Sequence, residues 1–222
     1  MLQDMENIFN KISGVKILEE VNSPINGKIS VIKSLAFGTY IQVDGITQSG
    51  GLVEDIWRQT LKKIHNSYPL IHNSLILGLG GGSAAKLIQK KWPKAKIIGV
   101  ETDPLMVELG KKFLGLNKTK LQIKIQDAFK YLILNTKYNI HKFDLILIDL
   151  YLGRDFPKKF ESDVFLRLIL RLLTDNGVAV FNHLYYDEKR SEAMKFGKKL
   201  EKIFPEVDYI YPEANILFLC WK

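Results

Sequence analysis

Cysteine occurs once in this 222-residue chain and histidine four times, so neither a disulfide scaffold nor a zinc framework can be assembled from it, and no metal site is expected. No apolar run reaches the roughly 20 residues needed to span a bilayer, which argues against a membrane partner. Internal repeats and low-complexity tracts are lacking as well. The opening Met1-Leu-Gln-Asp-Met-Glu has no basic-then-apolar leader pattern, which makes a cytoplasmic address the expectation. What remains is an ordinary globular composition, 46% apolar and 25% charged, with enough length to bury a core without cross-links.

The formal net charge is +8, and nucleic acid is the first partner such a charge suggests. Its placement argues against that partner. Residues 1–73 carry seven basic and seven acidic side chains, leaving 25 basic against 17 acidic in the rest. The lysines of that second part recur in helical segments (Lys90, Lys91, Lys111, Lys112, Lys195, Lys198, Lys199), the pattern of a solvated exterior.

Two regions differ in texture. Residues 1–50 read as a small N-terminal β domain. A helix over Asp4 to Ile12 precedes extended runs at Val15 to Val21, Lys28 to Lys33, Thr39 to Val43 and Ile46 to Gln48. Turn signals at Pro24-Ile-Asn-Gly27 and Asp44-Gly45 make two hairpins of them. From Gly51 the spacing becomes helical, with Leu52, Ile56, Leu61 and Ile64 on one side. Strands at 75–79, 96–100, 121–125, 144–148, 178–181, 209–211 and 216–220 then follow, with helices at 83–91, 104–114, 162–173 and 188–203. Leu-Ile-Leu-Ile at 145–148 is apolar on both faces, as in an α/β, doubly wound, mostly parallel sheet of seven strands spanning residues 51–222. Only Pro212-Glu-Ala-Asn separates the last two strands, so they should form an antiparallel pair at one edge.

In open α/β sheets ligands sit beyond the carboxyl ends of the strands, and four of those ends carry a signal. The first is Gly78-Leu-Gly80-Gly-Gly82-Ser83, running straight into a helix. Its glycines permit close backbone approach and its helix start offers N–H groups, although such turns also serve tight packing alone. Ser83 stands where a dinucleotide fingerprint would have its third glycine, which turns the reading away from NAD. The second end carries Glu101, 19 residues after Gly82, in position to accept ribose hydroxyls, and Asp103, for which a helix N-cap before Pro104 is an equal explanation. The third, Asp127-Ala128, places a carboxylate beside an adenine amino group or caps the turn at Phe129. At the fourth, Asp149 follows four apolar residues and needs a partner or a ligand.

Together Gly78-Leu-Gly-Gly-Gly, Glu101-Thr-Asp, Asp127-Ala and Phe143 to Asp149 resemble the nucleoside-binding signature of S-adenosylmethionine-dependent transferases, specifically the spermidine synthase (aminopropyltransferase) branch. Tyr40 to Gln48 is similar to the hairpin of that family's small N-terminal domain, and Tyr211-Pro212 to the pair before its final strand. The resemblance implies a Rossmann-like methyltransferase sheet and a homodimer. It also implies a nucleoside contact from Gln48, alongside Gly78, Gly80, Gly82, Ser83, Glu101, Asp103, Asp127 and Ala128. Asp149 is the expected catalytic residue, orienting or deprotonating an amine. Tyr151, Tyr185 and Tyr211, with Tyr186, are expected around a small-molecule acceptor.

The departures matter as much. The family's glycine loop carries an Asp where this chain has Ser83, and that Asp meets the ammonium of decarboxylated S-adenosylmethionine. A hydroxyl and helix-start N–H groups suit the carboxylate of S-adenosylmethionine itself. A second Asp usually follows the fourth-strand Asp by three residues; here that position is Leu152. Glu54 to Arg58 occupies the stretch where a Tyr-His pair is usual. Methyl transfer is therefore the leading expectation. Aminopropyl transfer from decarboxylated S-adenosylmethionine, with Asp155 or Asp187 standing in, is the alternative, and a non-catalytic nucleoside- or RNA-binding protein is the third. Asn182-His183 suggests an acid/base pair, set against a satisfied core histidine, and Cys220 reads as buried and inert.

Overall fold

The computed structural model describes residues 14–67, 70–138 and 141–222. The helix expected over Asp4 to Ile12 lies outside them. The first four strands are β1 (Val15–Ser23), β2 (Gly27–Ser34), β3 (Gly38–Val43) and β4 (Ile46–Gly50). They form one antiparallel meander, each strand paired with the next, rather than two separate hairpins. The missed link is the turn at 35–37, which joins β2 to β3. Asp44 and Gly45 both take positive φ, 47° and 78°, the left-handed pair that closes a two-residue hairpin with the twist of its strands. One face of the meander, Ile29, Val31, Ile41 and Val43, is buried against Met106, Leu109 and Leu114.

Helix α1 (Gly51–Ser67) starts directly after β4 and buries Ile56, Trp57, Thr60, Leu61 and Ile64. An alternating series follows: β5 (Asn73–Leu77), α2 (Ser83–Lys91), β6 (Lys96–Glu101), α3 (Pro104–Phe113), β7 (Gln122–Ile125), α4 (Ala128–Tyr138) and β8 (Phe143–Ile148). It continues with α5 (Asp163–Leu172), β9 (Leu173–Leu184), α6 (Lys189–Leu200), β10 (Glu206–Ile210) and β11 (Asn215–Trp221). The seven-stranded sheet has the order β10-β11-β9-β8-β5-β6-β7, with only β11 running against the rest. Side chains alternate on β8 from Leu145 onward, after a register shift between Phe143 and Leu145. Phe143, Ile146 and Ile148 enter the core under α4, α5 and α6, while Leu145 and Leu147 enter the one under α1 and α2. That two-sided burial is why the strand is apolar throughout.

Helix α4 was not expected. Its Tyr-Leu-Ile-Leu centre has the composition of a strand, and Ile133 and Leu134 stay exposed, so the helical stripe is blurred. Chain order reverses between β5 and β8, and the carboxyl ends of these two strands open the crevice described next.

Candidate active site

A cleft of about 530 Å³ lies over the ends of β5, β6, β8 and β9, within the usual range for small-molecule sites. The meander supplies one wall through Asn26 and the Gly45 to Gln48 segment, and α1 supplies Leu52, Val53 and Ile56. Gln48 donates from Nε2 to the Gly153 carbonyl at 3.3 Å, joining that wall to the segment after β8.

The glycine loop is shaped for contact rather than for donating hydrogen bonds. At Gly78 (φ 85°) a Cβ would lie 2.0 Å from the backbone oxygen of Asp149, and at Gly80 (φ 54°) 2.7 Å from Ser49 Oγ. Every N–H from Gly78 to Gly82 is used inside the protein. Gly78 and Leu79 donate to the Val100 carbonyl, Gly80 to Glu101, Gly81 to Ser49 Oγ and Gly82 to the Leu79 carbonyl. The loop itself therefore keeps no N–H free for a ligand, and the helix-start residues Ser83, Ala84 and Ala85 do not line the cleft. Ser83, expected on the ligand, has a buried hydroxyl that accepts from the Gly50 N–H at 2.7 Å, and neither it nor Gly82 lines the cleft. Ser49 to Gly81 and Gly50 to Ser83 thus form a reciprocal clasp between the end of β4 and the loop.

Glu101 ends β6 with its carboxylate on the cleft floor. Oε1 accepts from Thr102 N and Asp103 N, and Oε2 from Gly80 N at 2.8 Å, leaving one acceptor position of four. Burial raises its pKa, against the pull of those three N–H groups. Asp103 turns the other way. Its Oδ1 caps α3 through Leu105 N at 2.9 Å, while Oδ2 accepts from Ser23 Oγ and from Asn26 Nδ2 of the meander. Fully buried and off the cleft, it takes the N-cap alternative rather than the ligand role. Asp103→Ala should cost about 2–4 kcal/mol in urea denaturation, a lost cap plus two stranded donors, and Asp103→Asn should recover only the cap, because its NH₂ group then faces the Ser23 and Asn26 donors.

Asp127 and Ala128 both line the cleft where α4 begins. Asp127 accepts from Lys130 N at 3.0 Å and pairs with Lys159 at 2.7 Å. Partial burial would raise its pKa, but the lysine and the N–H groups hold it below the usual value.

Asp149 sits at the centre. Its Oδ1 accepts from Asn182 Nδ2 at 2.9 Å and its Oδ2 from Trp57 Nε1 at 3.1 Å, leaving one acceptor position on each oxygen. Burial pushes its pKa up and those two bonds pull it down. Asn182 is held in turn by Asn215, whose Nδ2 donates to Asn182 Oδ1 at 2.7 Å.

Trp57 and Asn215 were not read as site residues, and Asn182 only as half of a pair with His183. A signal for the asparagines exists: the buried rows Val178-Val180-Asn182 and Leu219-Leu217-Asn215 both turn polar at the same end of the sheet.

Of the expected tyrosines, Tyr151 and Tyr186 line the cleft. Tyr151 Oη accepts from Leu184 N at 2.8 Å, and burial raises its pKa, so it stays a neutral phenol. Tyr185 and Tyr211 do not line it; they pack on each other at 5.3 Å, with Arg190 over Tyr185. The suggested Asn182-His183 pair separates for the reason strands impose, since neighbours face opposite ways. His183 is buried at 4.4 Å from the Phe196 ring, and that burial drives its pKa down to about 3, so it is no acid/base group at neutral pH. Asp155 pairs with Lys189 and lies off the cleft, as does Asp187. Among the described residues no cluster suited to a metal and no helix long and apolar enough to cross a membrane is found.

Strand order, the lone reversed strand and a cleft at the point of reversal define a Rossmann-like methyltransferase fold with an added N-terminal sheet. Spermidine synthase from Thermotoga maritima superposes with a TM-score of 0.74 at 20% identity, covering 93% of this chain and 73% of that one. Residues 61–217 match the spermine/spermidine synthase domain, and the chain belongs to that family. Among curated relatives, the mouse eEF1A lysine and N-terminal methyltransferase is 28% identical over 153 residues, 66% of this chain and 22% of that protein. Polyamine aminopropyltransferase 1 of Aquifex aeolicus is 26% identical over 199 residues, 87% of this chain and 69% of that enzyme. The chain thus spans about a fifth of the first relative and about two thirds of the second.

Proposed function

We propose that this chain is an S-adenosylmethionine-dependent transferase that moves a methyl group to an amine presented at Asp149. The observation that carries the reading is the charge inside the cleft. Among its carboxylates Glu101 is occupied by backbone N–H groups, Asp127 by Lys159, and Glu213 is exposed, which leaves Asp149 as the interior carboxylate with neither a cationic partner nor a full set of N–H donors. A single carboxylate suits one amino group, whereas a diamine calls for one at each end. Tyr151, Leu152 and Ala214 line the acceptor side instead.

The nucleoside fits what is present. Gly78 and Gly80 line the cleft without side chains, Glu101 keeps one acceptor position for a ribose hydroxyl, and Val100 and Met106 give apolar contact. A sulfonium cofactor supplies a carbon already activated for displacement. The chain's tasks are then alignment and proton removal. Asp149 Oδ1 and Oδ2, each with one acceptor position open, orient the amine N–H and take its proton. Tyr151 and Tyr186 shield that end of the cleft from water. Because the cleft has more carboxylates than lysines, RNA is disfavoured there despite the chain's net charge.

Thermal shift with S-adenosylhomocysteine and with 5′-methylthioadenosine tests this reading against aminopropyl transfer. A ligand at about 100 times its dissociation constant adds roughly 2.7 kcal/mol, or about 5–10 °C for a chain of this size. S-adenosylhomocysteine should give the larger shift. A larger shift with the methylthio compound would move the reading to aminopropyl transfer, and no shift with either would sink the nucleoside site.

A further inference from the structure

Two asparagines form a directed relay behind Asp149. An amide can present either its oxygen or its NH₂ group to a neighbour, and nothing in Asn182 itself decides which. Asn215 decides it. From the start of β11 the Asn215 Nδ2 donates to Asn182 Oδ1 at 2.7 Å, and that oxygen is then committed to Asn215. The Asn182 NH₂ group is left facing Asp149 Oδ1 at 2.9 Å. Both asparagines are buried, 5% and 7% exposed, at the border of the cleft. They lie on neighbouring antiparallel strands, with Asn215 diagonal to Asn182, whose direct partner is Leu217.

We infer that Asn215 is a positioning residue: by locking the Asn182 amide it fixes a donor on Asp149 and so sets the proton affinity of the carboxylate that meets the acceptor. The inference deepens the function proposed above and rests on its assignment of Asp149. A donor fixed on a carboxylate favours its charged form, opposing the burial that favours the neutral one. The other donor is Trp57 from α1. Further titratable groups lining the same cleft are Tyr151 after β8, Tyr186 after β9, Glu213 before β11, Glu101 at the end of β6, and the Asp127–Lys159 pair at the start of α4. They are unchanged by substitution at 215.

Trp57 provides the readout, because its indole N–H bonds to Asp149 directly. The chain has three tryptophans, so the Trp57 indole resonance is assigned by its loss in Trp57→Phe and followed against pH in the ligand-free protein. The wild-type resonance should titrate with Asp149. Asn182→Leu should raise the midpoint by about one pH unit or more, a tenfold gain in proton affinity, and Asn215→Leu should raise it comparably. The double variant should move no further than Asn182→Leu alone, the mark of a relay rather than of two independent contacts. Asn215→Ser, which keeps a donor, should fall between wild type and Asn215→Leu, and it carries the test if the leucine variant does not fold. Additive shifts, no shift on changing Asn215, or a wild-type indole that ignores pH would each overturn the inference. Neither cofactor nor acceptor enters the measurement, so a failed ligand shift and a failed relay are separate results.

Discussion

Asp149→Asn should lower transfer by roughly 100- to 10,000-fold, the range expected for losing a positioned acid/base group, while nucleoside binding measured by calorimetry stays close to wild type. The side chain keeps its volume and loses only the charge and one acceptor. Its new NH₂ group must face either the Asn182 NH₂ or the Trp57 indole, and Asn182 is held by Asn215, so the unfavourable contact falls on Trp57. Transfer is followed as release of S-adenosylhomocysteine with amine-bearing acceptors. Loss of nucleoside binding in this variant would move Asp149 from the chemistry to the scaffold.

Stability gives the same substitution a second signature. Burial raises the folded-state pKa of Asp149 above its ordinary value of 3.8. The group's favourable contribution is therefore complete below the unfolded pKa and is lost as pH rises through the folded one. The asparagine variant has no such loss. Its stability relative to wild type should increase from acid toward neutral pH, and denaturant midpoints across that range check the sign. A carboxylate kept in place at a cost to folding is what a working group would be.

Gly78→Ala should be the most damaging single change, about 3–5 kcal/mol, or roughly 10 °C or more in melting temperature. The residue holds φ at 85°, which a side chain disfavours, and its Cβ would lie 2.0 Å from the Asp149 oxygen and 2.7 Å from the adjoining carbonyl carbon. Both are backbone atoms at the end of β8 and cannot swing aside. Gly45→Ala is the control. Its φ of 78° carries similar strain, but nothing lies within 4 Å of the added carbon, so the loss should be about 1–2 kcal/mol. Equal losses at the two positions would show that backbone strain alone, without the close approach to β8, accounts for Gly78.

The sheet was legible because its signals are local. Two-faced apolar strands, the glycine turn and the Pro104 helix start each lie within a few residues, and Ser83–Lys91 was read to the residue. The candidate site was legible chiefly where a strand end places the group, as for Glu101, Asp127 and Asp149 on the cleft. Direction was not. Whether Asp103 or Ser83 faces ligand or scaffold depends on Ser23, Asn26 and Gly50, which lie 80, 77 and 33 residues away in sequence. Trp57 meets Asp149 across 92 residues, and helical spacing marks it only as a buried side chain. Helix α4 shows the converse failure, a segment whose local composition suits a strand while the tertiary packing of Tyr131 and Leu132 makes it a helix.

The meander lacks a core of its own. Its buried face is completed by Met106, Leu109 and Leu114, its turn is anchored on the α3 cap, and its last strand is clasped to the glycine loop. These contacts cross the boundary visible in the sequence near residue 50, and the two parts are expected to unfold together. A chain melting in a single transition would lose the wall and floor of its cleft together, so a half-built site that still captures nucleoside should never accumulate.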